Sequence, residues 1–199
     1  SYFAQLHLHC NTGQYYNVGV AEQNMTSIAS GLALEGKKVF TYSLANFPTL
    51  RCLEQIRNDA CYHNLNVNIV ASGGGFSYGQ LGMSHHATED ISIMRALPNV
   101  KLVVPSSPWE AENATKELYK SEGVGYLRID KTNGVQEKPS QPFKIGESIS
   151  IQSGNDVCFI ACGGIINEVV DSAKSLKRVG ISSETVSYTH LTLPTIYSV

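Results

Sequence analysis

A glutamate at a predicted helix start is the first candidate for chemistry. Glu22 lies in the run VGVAEQNM at 18–25, after the β-prone residues 15–20. A carboxyl group held there in an apolar pocket could hydrogen-bond a ligand and exchange a proton with it. The alternative is an ordinary first-turn acid, favoured by the helix dipole by a few tenths of a kcal/mol. Taken alone, the residue type favours this alternative.

An aromatic residue and two histidines follow at strand ends and in a loop. Phe47 could present a flat face to a heteroaromatic ring, or it could be a core side chain. His85 and His86 close a glycine-rich stretch at 72–84, which favours a loop over a regular element. A histidine can donate or accept a proton near neutral pH, although a lone loop histidine is usually solvated.

Two basic residues end the candidate set. Arg128 and Lys131 lie at the end of a predicted strand in the run YLRIDK. Either side chain can bind an anionic group, and lysine does so as a point charge. For Arg128, a salt bridge or a solvated strand end is an equal alternative.

Strands alternate with helices along the part of the chain that must position these side chains. The apolar residues Met25, Ile28, Ala29, Leu32 and Ala33 repeat at helical spacing, and Gly36 follows as a helix stop. The predicted strands are 15–20, 39–42, 67–71, 100–104 and 126–129, and the helices between them are 21–35, 50–63, 89–97 and 108–122. This order predicts an α/β fold, a mostly parallel sheet with helices on both faces. Ligands of such sheets bind beyond the carboxyl ends of the strands.

One helix start has a strong local signature. In the run SPWE, Ser107 is a predicted N-cap, Pro108 occupies the first helical position and Glu110 completes a capping box.

Changes of composition divide the chain. Residues 1–130 form the first predicted domain, 131–143 a polar, proline-containing linker, and 144–186 the start of a second α/β domain. Residues 187–199 contain no Lys, Arg, Asp or Glu and show no helical period. We hypothesise that this tail is an artefact of reading frame or cloning, and we exclude it from the fold prediction.

The bulk composition favours a small ligand. The 199 residues are 42% hydrophobic and 16% charged, with a formal net charge of −2 and interspersed charges. Such a surface argues against nucleic-acid and membrane partners. The five cysteines form no zinc-ligand pattern and are interpreted as reduced core thiols, and cytoplasmic localisation is the default.

Four motifs in unbroken order resemble those of the transketolase family. GVAEQNM at 19–25 is similar to the Gly-Ile-Ala-Glu-Gln-(His/Asn) signature of transketolases and deoxyxylulose-phosphate synthases. The Ser-x-x-Asn-Phe segment at 43–47, Gly-x-Ser-His at 82–85 and Arg-Ala-Leu-Pro-Asn at 95–99 follow. The resemblance covers residues 15–129 and corresponds to the pyrimidine-binding domain, and residues from 144 resemble the start of that family's C-terminal domain.

The resemblance implies thiamine diphosphate as the cofactor. Glu22 would hydrogen-bond a ring nitrogen of the cofactor's aminopyrimidine and so activate the thiazolium carbon, and Phe47 would stack on the pyrimidine. The cofactor would supply the electron sink. On the substrate side, the resemblance implies that His85 contacts the hydroxyls or the carbonyl of the substrate. His86 matches the family pattern less closely.

Arg128 and Lys131 take the places of an Arg-x-x-Arg pattern that binds sugar phosphate in this family. Two departures concern the same substrate: Gly73 replaces a histidine and Leu81 an acid that contact sugar or phosphate. The resemblance therefore leaves room for a different or non-phosphorylated ketose.

The family's Gly-Asp-Gly motif, which holds the cofactor diphosphate through Mg²⁺, does not occur in the chain. The resemblance also leads us to expect that the strand and helix that usually open the pyrimidine domain are missing, because few residues precede Tyr15. The resemblance then implies half an active site, completed by a diphosphate-binding N-terminal subunit or domain that carries the Mg²⁺ in a homo- or hetero-oligomer.

Several interpretations stay open at this point. The chain could be the C-terminal subunit or a fragment of a split transketolase that moves a two-carbon ketol unit between sugars or sugar phosphates, or it could serve deoxyxylulose-phosphate-synthase-type chemistry. A noncatalytic assembly or regulatory subunit with the same fold is a different class. A flavodoxin-like module is the weakest alternative, since Gly73-Gly74-Gly75 lacks a nucleotide-binding pattern.

Overall fold

Two sheets form the framework of the protein. The computed structural model describes residues 13–130, 139 and 141–190. The strands are β1 Val39–Leu44, β2 Val67–Ser72, β3 Lys101–Val103, β4 Gly125–Ile129, β5 Ile149–Gln152, β6 Val157–Ala161 and β7 Ser183–Ser187. The α-helices are α1 Glu22–Leu34, α2 Leu53–Gln55, α3 Asp90–Ala96, α4 Pro108–Lys120 and α5 Ile166–Arg178.

The first sheet is parallel throughout, in the order β1-β2-β4-β3. Val39 pairs with Val67 at one end of β1 and β2, and Leu44 pairs with Ser72 at the other. All four carboxyl ends therefore lie at one edge of the sheet. The predicted fold class is confirmed, since helices pack on both faces of this sheet.

Side-chain alternation along the strands separates two hydrophobic clusters. On β4, Tyr126 belongs to the larger cluster and Leu127 to the smaller one. Because neighbouring side chains on a strand point to opposite faces, the two clusters cover the two sides of the sheet. The larger one includes Ala29 of α1 and Met94 of α3, and the smaller one includes Leu118 of α4.

The buried face of α1 differs from the predicted stripe. Ala29 and Ala33 are buried as expected, but Thr26 and Ser30 take the place of Ile28, which is 39% exposed. The Thr26 and Ser30 hydroxyls donate to backbone carbonyls one turn earlier, Glu22 O at 3.0 Å and Thr26 O at 3.0 Å. Hydroxyls that are hydrogen-bonded within their own helix avoid the cost of an unsatisfied buried polar group.

The strand predicted at 15–20 is wrong. These residues form no regular element, and Val20 is 90% exposed. Gly19 has a φ of +70° and its N–H donates to Asn17 Oδ1 at 2.9 Å, which makes a local turn. β-prone residues without a neighbouring strand to pair with do not form a sheet.

The predicted start of α4 is correct at the N-cap and wrong in the second half of the capping box. Ser107 Oγ accepts from Glu110 N at 3.1 Å, and Pro108 opens the helix. The Glu110 carboxylate accepts instead from Ser106, at 2.6 Å from its N–H and 2.9 Å from its hydroxyl. The buried carboxylate thus accepts both hydrogen bonds from Ser106 and, in the first turn, interacts favourably with the helix dipole.

The helical region predicted at 50–63 is composite. A 3₁₀ turn at Leu50–Cys52 leads into α2, and a π-helical stretch at Ile56–Cys61 follows. Such changes of helix type re-aim side chains and occur often at functional sites. Here the first of these helix types begins at Leu50, shortly after Phe47.

The second sheet has the order β5-β7-β6, with β6 and β7 parallel and β5 antiparallel. The predicted β-α-β passage through β6, α5 and β7 is present, whereas β5 was not predicted. Thr189 at the beginning of the tail accepts from Val104 N at 2.6 Å. The proposed domain boundaries and the origin of residues 187–199 stay predictions.

The thiol prediction holds only in part. Cys52 and Cys61 are buried, Cys162 is half-buried and Cys158 is exposed, while Cys10 lies outside the described residues. None of the helices in the described ranges is long and apolar enough to cross a membrane.

Candidate active site

Glu22 lies at the carboxyl edge of the first sheet. It opens α1, and Ser43 near the end of β1 donates from Oγ to Glu22 Oε1 at 3.3 Å. The residue is 8% exposed, so its carboxylate is largely withdrawn from water. A buried acid at a helix start needs partners beyond the helix dipole.

Arg51 is the second partner of this carboxylate. Its Nη1 lies 3.0 Å from Glu22 Oε2. The surroundings of Glu22 are therefore polar on two sides, which differs from the apolar pocket that the resemblance implies. The sequence analysis missed Arg51, although its position one helical turn after Phe47 in the sequence could have placed it on the same face.

Phe47 connects the glutamate with the histidine loop. The Arg51 guanidinium carbon lies 4.6 Å from the centroid of the Phe47 ring, and the His85 ring meets Phe47 edge-on at 5.2 Å. A hydrogen bond supports this arrangement, because the side-chain Nδ2 of Asn46 donates to the backbone carbonyl of Ser84 at 2.6 Å. The end of β1 and the glycine-rich loop are thus tied together.

His85 and His86 point to different neighbours. His85 is half-buried, and its Nδ1 lies 3.0 Å from Ser84 Oγ. His86 contacts the exposed ring of Phe76 at 4.9 Å, and its Nε2 is buried without a hydrogen bond to any described residue. Of the two histidines, it is His85 whose ring contacts Phe47.

Arg128 lies in a buried polar network with Asp90 and Tyr126. Arg128 Nε is 3.3 Å from Asp90 Oδ2, and Tyr126 Oη donates to that same oxygen at 2.7 Å. Burial raises the pKa of the Asp90 carboxyl although Arg128 opposes the shift, and burial together with Asp90 raises the pKa of Tyr126 well above its ordinary value. These contacts favour the salt-bridge alternative for Arg128. Lys131 lies outside the described residues.

Two glycines of the loop, Gly73 and Gly74, have close side-chain neighbours. A Cβ at Gly73 would collide with the ring of Tyr78, and one at Gly74 with the Arg128 guanidinium. Gly73 also has a φ of +75°, which side chains rarely adopt. The departure from histidine at this position is therefore accommodated by the packing of Tyr78, while Leu81 is 56% exposed.

The residues present fit an aminopyrimidine at one end of the site. A buried carboxylate oxygen and a half-buried aromatic face lie side by side, already bridged by a flat cation with N–H donors. A flat heteroaromatic ring whose ring nitrogen shares a proton with the carboxyl group would satisfy the same two groups. The described residues contain no group of His, Cys, Asp and Glu that could hold a metal ion.

More than half of the chain matches the model of a known protein family. Residues 2–136 match the family model described as the transketolase pyrimidine-binding domain. The chain is 35% identical over 172 residues to one subunit of an apulose-4-phosphate transketolase from Actinobacillus succinogenes, with 86% of this chain and 55% of the relative covered. It is 31% identical over 176 residues to a 6-deoxy-6-sulfo-D-fructose transketolase subunit from Clostridium sp. strain MSTE9, with 88% and 55% covered.

A solved structure gives the same picture. The chain matches a split-gene transketolase described as an inactive beta4 tetramer with a TM-score of 0.78 and 35% identity, covering 88% of this chain and 57% of that one. The chain thus spans about half the length of these relatives.

Proposed function

Because the chain belongs to the transketolase family through its pyrimidine-binding domain, we propose that it supplies the pyrimidine half of a thiamine diphosphate site in a ketol transferase. The observation that carries the proposal is a chain of contacts at one edge of the sheet, in which Arg51 bridges Glu22 and Phe47 and the ring of Phe47 meets that of His85. Glu22, Phe47 and His85 are the residues that the resemblance assigns to the cofactor and substrate, and they come from three separate segments. The proposed reaction moves a two-carbon ketol unit between sugars.

Glu22 is the proposed activating acid. Its carboxylate is buried, Ser43 holds one oxygen, and the other oxygen faces Phe47 through Arg51. A carboxyl group fixed in this way can share a proton with a ring nitrogen lying on Phe47. The bound cofactor would supply a nucleophilic carbon and an electron sink.

His85 is the proposed group for the substrate hydroxyl or carbonyl. Its contact with Phe47 places it beside the cofactor subsite, and Ser84 fixes one ring nitrogen, which leaves the other for the substrate. His86, Arg128 and Lys131 stay predictions for substrate binding.

The proposed substrate is a ketose with an anionic terminal group. The two subunits that resemble the chain are named for a sugar phosphate and a sulfo-sugar, and both compounds carry an anion. Lys131 could serve either anion as a point charge. The departures at Gly73 and Leu81 led us to expect a ketose other than a standard pentose phosphate, and this proposal specifies one with an anionic end.

The proposed partner is a diphosphate-binding chain or domain that brings the Mg²⁺. Supporting observations are the naming of the relatives as subunits and the split-gene neighbour. The chain segments that carry the site residues also expose apolar side chains, which would suit a protein interface: Tyr16, Val20, Leu50, Phe76, Leu81 and Met83.

Calorimetry with thiamine diphosphate and Mg²⁺ tests this proposal. The full-length chain alone is expected to bind no measurable cofactor, and addition of the diphosphate-binding chain should produce saturable, magnesium-dependent binding and ketol transfer. Tight magnesium-dependent binding by the chain alone would contradict the half-site. If the assembled chains bind the cofactor but show no ketol transfer, and if substitution of Glu22 does not change the binding, the alternative of a noncatalytic subunit is favoured.

A further inference from the structure

The Arg51 guanidinium occupies the place proposed for the cofactor pyrimidine. It makes both contacts expected of that ring, with Nη1 3.0 Å from Glu22 Oε2 and its central carbon 4.6 Å from the Phe47 centroid. A guanidinium is planar, stacks on aromatic faces and donates N–H bonds to carboxylates. It therefore matches the shape of an aminopyrimidine and, by donating an N–H to the carboxylate, the protonated form of the ring nitrogen that shares a proton with Glu22.

We infer that Arg51 is a displaceable occupant of the pyrimidine subsite and that cofactor binding requires it to swing away from Glu22 and Phe47. This inference rests on the proposed function, because it assumes that the two residues bind the pyrimidine. It adds a competition within the chain that lowers the apparent affinity for the cofactor.

The burial of the three side chains supports displacement. The Arg51 side chain is 45% exposed, whereas that of Glu22 is 9% exposed. The guanidinium thus reaches the buried carboxylate from the solvent side, and it can return to water without unpacking the core. The neighbouring Cys52 is fully buried, and the proposed movement involves the Arg51 side chain alone.

Charge explains why an occupant is useful. A buried carboxylate oxygen without a hydrogen-bond donor costs free energy. Ser43 donates to one of the two Glu22 oxygens and leaves the other to a different donor. Arg51 satisfies the other oxygen. The incoming ring then exchanges one set of contacts for another.

The test is the dissociation constant of thiamine diphosphate, measured by calorimetry at saturating Mg²⁺ on the full-length chain assembled with its diphosphate-binding partner. Arg51→Ala should bind roughly three- to tenfold tighter, since it removes one partly exposed ion pair and one cation–π contact that the cofactor must otherwise break. Arg51→Lys keeps a charge near Glu22 but no flat face, and we expect an intermediate value. Arg57→Ala is the matched control, because Arg57 is exposed and contacts Asn58.

Unchanged or weaker cofactor binding in a folded Arg51→Ala protein would overturn the inference. If that variant does not fold, Arg51→Lys decides the question by the same criterion. In a Glu22→Gln background the gain from Arg51→Ala should shrink, since the ion pair is already lost. The proposed function fails separately, if Glu22→Gln leaves turnover intact.

Discussion

The rings of Phe47 and His85 meet edge to face, with their centroids 5.2 Å apart and their planes at 70°. Phe47 follows β1, and His85 ends the glycine-rich loop that follows β2. One aromatic contact therefore joins the proposed cofactor side and the proposed substrate side of the site. Substitution of one residue at a time can therefore distinguish an effect on cofactor binding from an effect on the substrate.

Phe47→Leu tests the cofactor side. Leucine keeps much of the apolar volume but lacks the flat face, so we expect thiamine diphosphate affinity in the assembled enzyme to fall about tenfold. Calorimetry measures this change, and Phe40→Leu on β1 is the control. Equal losses in both variants would show that Phe47 acts through folding rather than stacking.

His85→Asn tests the substrate side. Asparagine can hydrogen-bond but cannot exchange a proton near neutral pH, so kcat/KM should fall about 100-fold while cofactor affinity stays within about twofold. Steady-state kinetics and calorimetry provide the two readouts. His63→Asn, at an exposed position outside the site, should leave both unchanged. A large loss of cofactor affinity in His85→Asn would place the histidine on the cofactor side instead.

Arg128→Met distinguishes a structural role from phosphate binding. The side chains of Arg128 and Asp90 are 13% and 2% exposed, and removal of one partner leaves a buried charge, so we expect the free energy of unfolding to drop by about 3 kcal/mol. Chemical denaturation measures it, and the exposed Arg95→Met is the control. Adding Asp90→Asn should recover part of the loss, because the amide oxygen still accepts from Tyr126.

A substrate-binding arginine would behave differently. Unchanged stability with a raised KM for an anionic sugar would assign Arg128 to the substrate and reject the structural interpretation.

The cysteines give a prediction about pH. Burial raises the pKa of the Cys61 thiol from 9.0 to about 11, so about one molecule in a thousand carries the thiolate at pH 8. Alkylation followed by mass spectrometry should label the exposed Cys158 of the folded chain and leave Cys61 unmodified. Because the folded pKa is the higher one, the stability linked to this thiol is present below pH 9.0 and is lost as the pH rises through about 11. Rapid labelling of Cys61 at pH 8 without unfolding would contradict its burial.

The sequence was sufficient for the alternation of strands and helices and for the order of the family motifs, since periodicity and turn residues are local properties. It failed where pairing decides the outcome. Residues 15–20 have strand propensity but no neighbouring strand, and Glu110 accepts from Ser106 and does not complete the capping box with Ser107. β5 pairs with β7, more than thirty residues later in the chain.

The candidate site shows the same limit. The family motifs predicted Glu22, Phe47 and His85 as site residues from the sequence, and these roles stay predictions. Arg51 belongs to none of the quoted motifs, and its role depends on a side chain that reaches across to another helix. Long-range contacts of this kind require the folded structure.

The measurement that tests the central claim most directly is the turnover of the assembled enzyme carrying Glu22→Gln. Glutamine retains the size and a hydrogen bond but cannot share a proton with the pyrimidine, so we predict a loss of ketol transfer of at least about 100-fold with the cofactor still bound. The exposed Glu35→Gln, at the C-terminal end of α1, is the control and should retain activity. Activity of Glu22→Gln equal to that of this control would contradict the proposed function.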